Sequence, residues 1–140
     1  MLRLLADGLS NQDIARQLVE FDVGRGIDVL MGGGRQHFLP AGAPDPEHPP
    51  FRGFRLDGRD LIAEWQARHP QGQWVWNQAQ FDALDLGPGS KVLALFEPDH
   101  MRFEHDRPRD LAGEPSLAEM TRAAITRLSH EEQGYVLLVE

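Results

Sequence analysis

The sequence predicts an α/β fold, a doubly wound and mostly parallel sheet with helices on both faces. Three observations carry this. Short, almost uninterrupted apolar runs alternate with amphipathic stretches. The amphipathic stretches open on helix-capping residues, and the apolar runs leave through glycine or acidic turns. Strands that are apolar on both sides belong in a parallel sheet covered by crossover helices, because either face left in water would forfeit the burial.

Taken in order, Ser10 or Asn11 caps a first helix whose inner face carries Ile14, Leu18 and Phe21, and Gly24 and Gly26 end it. Ile27 to Met31 is too short for a helix and is bracketed by glycine, so it reads as a strand. Gly32-Gly33-Gly34 then gives the backbone a tight path out of the sheet. No Gly-Lys-Ser/Thr follows and no helix begins there, which fails the P-loop and dinucleotide patterns and leaves Arg35 as a weak anion-ligand candidate. Residues 35 to 56 form a long Pro- and Gly-rich connection, of a length that usually binds something or is disordered.

Asp57 or Gly58 opens a helix to about Arg68, with Leu61, Ile62 and Trp65 turned inward. Trp74-Val75-Trp76 is a short strand. Asn77 with Gln80 resembles a capping box, followed by Phe81 and Leu84 on one face. Gly87 to Ser90 turns the chain into the strand Lys91 to Phe96. A second long polar loop spans 97 to 115. Ser116 with Glu119 then caps a helix with Leu117, Met120, Ala124 and Leu128 on its apolar face. Tyr135 to Val139 reads as a last buried strand. It stops one residue later at Glu140, which we expect to be a cut through a domain.

The chain has 140 residues, a size for one domain or part of a larger one. Its 14 basic and 22 acidic residues give a net charge of −8, which repels a phosphate backbone and argues against nucleic acid as a partner. No cysteine is present, so disulfides, thiolate nucleophiles and Cys-type zinc sites are excluded. No apolar run approaches the roughly 18 residues of a membrane span. The first apolar stretch breaks at Asp7, too early for a secretory signal. No histidine pair has metal spacing, and no Gly-x-Ser-x-Gly elbow marks a nucleophile. Glu97 and Glu140 leave strand ends at the rim where open parallel sheets bind ligands. They read either as ligands of a hard cation or as ordinary solvated acids. Residues 4 to 18 resemble the first half of a helix-turn-helix. The continuation Val19-Glu20-Phe21-Asp22-Val23-Gly24 is acidic where a recognition helix needs basic residues.

The segments Asp13 to Leu18, Gly26 to Arg35, Leu56 to Leu61, Leu95-Phe96-Glu97-Pro98, Pro115 to Thr121 and Gly134 to Glu140 resemble alkaline phosphatase. They match in order from about residue 12 to residue 140 and lie nearer the branch of animal and many bacterial enzymes than the classical enteric type. Residues 1 to 11 stand outside as an atypical N-terminal extension.

The resemblance implies part of an incomplete alkaline phosphatase-like domain. The complete enzyme would be a periplasmic or extracellular homodimer that hydrolyses phosphate monoesters through a phosphoserine, using Zn²⁺ and Mg²⁺. It also implies that the nucleophile and the zinc ligands belong to segments not represented here, so the chain alone is expected to be inactive. Glu140 matches the family's Mg²⁺ ligand. Glu47, the carbonyl of Phe96, Glu97 and Glu114 match a peripheral Ca²⁺ site, with Glu114 standing where the family has aspartate. A catalytically silent calcium-binding or structural module is the alternative, and a DNA-binding segment at residues 2 to 25 a remote one.

Overall fold

The computed structural model describes residues 9–140. A three-stranded parallel sheet holds β1 (Val29–Gly32), β2 (Gln73–Val75) and β3 (Val92–Leu95) in the order β1-β3-β2, with Val29 and Gln73 both opposite Val92. The central strand β3 is buried at every residue, as its apolar run requires.

Strand alternation splits the core in two. Leu93 and Leu95 pack with Ala15 and Val19 of α1 (Asn11–Glu20) and Leu61, Ile62 and Trp65 of α2 (Leu61–Arg68). On the opposite face, Val92, Ala94 and Phe96 meet Phe81 of α3 (Gln78–Asp82) and Met120 of α4 (Leu117–Leu128). Two helices therefore cover each face, and the doubly wound reading stands.

The caps of α1 and α4 follow the sequence, whereas α2 opens at Leu61 rather than at Asp57 or Gly58. Ser10 with Asp13 and Ser116 with Glu119 both form reciprocal capping boxes. Asp60 caps α2 by accepting from the Ala63 amide. Asn77 caps α3, but Gln80 accepts from the Trp76 amide rather than from Asn77, so only half a capping box forms.

Four expectations are corrected. The inner face of α1 is Ala15 and Val19, whereas Phe21 is exposed just beyond the helix end. Leu117 is likewise exposed at the first turn of α4. Trp76 leaves β2 and turns its ring toward the Arg35 guanidinium, 5.8 Å away. Residues 135–139 form no ladder, with Val136 93% and Leu138 63% exposed. With β1 and α4, residues 137–140 instead line a cavity of about 640 Å³. Apolarity alone does not make a strand, because strand stability lies in cross-strand pairing and packing.

For the helix-turn-helix alternative, residues 2–8 lie outside the described residues, as does most of the 1–11 extension. Residues 21–28 turn without forming a second helix.

Candidate metal centre

The chain crosses from β1 to β2 through α2 on one face, and leaves β3 for α4 on the other. The carboxyl ends of β1 and β3 are therefore a point where the connections diverge, the usual place for a crevice in such sheets. Here the two exits are zipped together. The amides of Gly34, Arg35 and Gln36 donate to the carbonyls of Asp99, Glu97 and Pro98. Only glycine fits at 33, since a Cβ there would lie 2.3 Å from the Asp99 carbonyl oxygen. Gly34 adopts φ 77° to start a short 3-10 turn, Arg35–His37. Gly33 and Gly34 thus give the backbone the tight path out of the sheet that the sequence suggested.

Arg35 is fully buried, which corrects its reading as an anion ligand. Its Nε and Nη2 grip Asp45 in a fork at 2.7 Å each, Nη2 also reaches Glu47 Oε2 at 3.0 Å, and Nη1 donates to the Leu95 carbonyl. Burial opposes its charge, but the two carboxylates outweigh burial and hold the guanidinium even more firmly protonated than usual. Asp45 is pushed upward by burial and pulled further down by Arg35 and the amides of His48 and Glu47, so it stays ionised. Those two amides, donating to Asp45 Oδ1 at 2.9 and 3.0 Å, fold Asp45-Pro46-Glu47-His48 into an Asx-type turn. The turn aims Glu47 and His48 at Glu97, the first residue beyond Phe96 at the end of β3.

Around Glu97 two of the expected calcium residues, Glu47 and Glu97 itself, come together with His48. His48 Nε2 lies 3.4 Å from Glu47 Oε1 and 3.7 Å from Glu97 Oε2. These three residues offer donor atoms within 4.8 Å of one another. Arg102 ties in the second loop. Its Nε donates to Glu97 Oε1 at 2.9 Å and stands 3.9 Å from Asp110, while its amide donates to Glu114 Oε1 at 2.7 Å. Phe96, wholly buried against Phe81, anchors the strand end by donating its amide to the Gly32 carbonyl.

Three buried carboxylate oxygens, Glu47 Oε1, Asp110 Oδ2 and Glu114 Oε2, have no hydrogen-bond partner among the described residues. A buried acceptor without a donor is costly, so the arrangement suits a cation. The electrostatics agree. Burial raises the Glu47 carboxyl above its ordinary range despite Arg35, with Glu97 and Asp110 adding repulsion. Burial pushes Glu114 up to about 7, with Glu97 and Asp110 again adding to the rise.

Glu140 lies apart from this group. It is exposed on the wall of the 640 Å³ cavity, which it shares with Gly32 and Gly33. Sequence reasoning missed His48, Asp110, Arg35 and Arg102 as members of the cluster. Only the adjacency of His48 to Glu47 could have pointed to one of them.

Comparison with known proteins is consistent along nearly the whole chain. The family model for alkaline phosphatase matches residues 5–140. The tissue-nonspecific alkaline phosphatase of Gallus gallus is 41% identical over 135 residues, covering 92% of this chain and 25% of that protein. The membrane-bound alkaline phosphatase of Bombyx mori is 39% identical over 132 residues, covering 91% and 23%. Among solved structures, the Thermus thermophilus alkaline phosphatase superposes with a TM-score of 0.66 at 31% identity, over 90% of this chain and 22% of that one. The chain spans about a quarter of the length of these relatives.

Proposed function

The chain belongs to the alkaline phosphatase family, and from that premise we propose that it is part of a metal-dependent phosphomonoesterase, to which it supplies metal-ligating carboxylates rather than the nucleophile. On this reading Glu47, the Phe96 carbonyl, Glu97 and Glu114 hold a divalent cation, Ca²⁺ by resemblance. The observation that carries it is the meeting of donor atoms of Glu47, His48 and Glu97 within 4.8 Å of one another, with Glu47 Oε1 buried and without a hydrogen-bond partner among the described residues. A cation there stitches the 35–56 loop to the 97–115 loop and keeps the ends of β1 and β3 in register.

Glu140 is proposed as the ligand for Mg²⁺, beside the glycines that leave β1. In the complete enzyme, Zn²⁺ and Mg²⁺ would supply Lewis-acid activation and charge stabilisation at the transferring phosphoryl group. This chain's own part is to bring oxygen donors from the 35–56 and 97–115 loops to the end of β3. The serine and zinc ligands of the resemblance match no residue here. The same premise makes the complete protein an exported homodimer acting on phosphate monoesters. No helix among the described residues is long and apolar enough to cross a membrane.

Two measurements test this reading. Calorimetric titration with CaCl₂ is expected to give a saturating heat that Glu97→Ala abolishes, and equal heats would remove the site. The 140-residue chain is expected to hydrolyse no p-nitrophenyl phosphate beyond a metal-only blank. Turnover by the purified chain would overturn the assignment of the nucleophile elsewhere.

A further inference from the structure

We infer that residues 135–139 form a strap that closes onto the free edge of β1 as a fourth parallel strand, giving the sheet the order strap-β1-β3-β2. The inference goes beyond the cation reading above and needs neither ion.

β1 stands at the end of the order β1-β3-β2, so one of its edges has no strand beside it among the described residues. The carbonyls of Asp28 and Gly32 accept from the Val92 and Phe96 amides. Parallel pairing turns alternate residues to alternate sides. Leu30 therefore also faces β3, while Val29 and Met31 direct their amides and carbonyls to the open edge. Such an edge is a template for a further strand.

The connections say where that strand comes from. α2 carries the chain from β1 across to β2 on one face, and α3 returns it from β2 to β3 on the other. α4 lies on the same face as α3. Parallel crossovers keep one hand, so two helices on one face step in the same direction. The step after β3 thus continues toward β1, whose near side β3 already fills. The first free place is the far edge of β1.

The strap already lies beside that place. Leu137, Leu138 and Val139 share the walls of the 640 Å³ cavity with Met31 of β1 and with Met120 and Ala124 of α4. Val136 and Leu138 on one alternation, and Tyr135 and Val139 on the other, are apolar and exposed. That is the composition of a strand covered on both faces, without its cover. Gly134, at φ 85° with its amide on the Glu131 carbonyl, ends the turn after α4 and is the hinge. Because the strap would run parallel to β1, closure carries Glu140 to the carboxyl end of the sheet.

Amide hydrogen exchange followed by ¹⁵N NMR on the 140-residue chain tests the inference. The comparison is the full chain carrying Leu137→Pro and Leu138→Pro, which removes one amide from either alternation of the strap. Neither residue belongs to a ladder in the open form, so the three-stranded sheet stays intact. The Val29 and Met31 amides are expected to exchange at least about tenfold more slowly in wild type than in the variant. Leu30, whose amide faces β3, should exchange alike in both and reports that the fold is kept. Wild type is also expected to show Hα–HN Overhauser contacts between residues 29–32 and 136–139. Fast exchange at Val29 and Met31 in wild type, protection that the two prolines leave unchanged, or absence of those contacts overturns the inference. Protection that grows with protein concentration, together with a doubled mass in sedimentation, gives the edge to a second copy and overturns it as well.

Discussion

Replacing Arg35 by Met is expected to lower the unfolding free energy by about 3–5 kcal/mol, the cost of breaking a buried ion pair by removing one partner. The guanidinium is fully buried and binds Asp45 in a fork, Glu47 through one nitrogen and the Leu95 carbonyl through another. Met fills comparable space but leaves Asp45 ionised or forces it to take up a proton, and it adds another orphan oxygen on Glu47. Against a total stability of roughly 5–15 kcal/mol for an ordinary domain, a loss of this size brings the chain near its threshold. Arg35→Lys is expected to recover little, because an ammonium cannot make the fork to Asp45 and also reach Glu47 and the Leu95 carbonyl. Urea denaturation at neutral pH reads the effect. A loss below about 1 kcal/mol, the level of an exposed pair, would show that the network contributes no more than a surface bridge.

The second large effect is on pH dependence. In the metal-free chain Glu114 has its carboxyl raised from 4.5 to about 7, chiefly by burial. The folded state therefore holds a proton that the unfolded state releases, so stability falls as pH rises between about 4.5 and 7. The loss, complete above the folded value, is roughly 3 kcal/mol at most. Glu47, also raised, acts in the same direction. Asp45, lowered, acts oppositely: its contribution is present above the usual aspartate value of 3.8 and is lost as pH drops through its depressed one. A divalent cation removes the repulsion among ionised carboxylates, so its gain in Tm is expected to be larger at pH 8 than at pH 5.5. Thermal melts with and without the ion at the two pH values decide this. An equal gain at both, or a Glu114→Gln variant with an unchanged pH profile, would contradict it.

Legibility in the sequence tracked how local each signal was. Ser10 with Asp13 and Ser116 with Glu119 were readable because a capping box is closed within four residues. The wholly buried run of β3 announced a parallel strand under two layers. Tyr135 to Val139 carries the same apolar pattern, yet no backbone among the described residues pairs with it. The cluster divided along the same line. Glu47 and Glu97 were named through short motifs, whereas Arg102 and Asp110 enter only because a loop of nineteen residues folds back on the end of β3.

Composition, caps and apolar runs by themselves determined the α/β class, the parallel sheet, the absence of thiol chemistry and the acid, Glu97, that follows β3. These depend on contacts within a turn or on the solvation of single residues, which a linear text records. Tertiary structure alone decided that Arg35 is an internal counter-charge and not an anion ligand. It alone brought His48 to face Glu97, forty-nine positions away, and left three carboxylate oxygens without donors. Such facts depend on which loops meet and how completely water is excluded where they do, and the free energy of a buried charge is set by those distant neighbours rather than by the residues beside it in the chain.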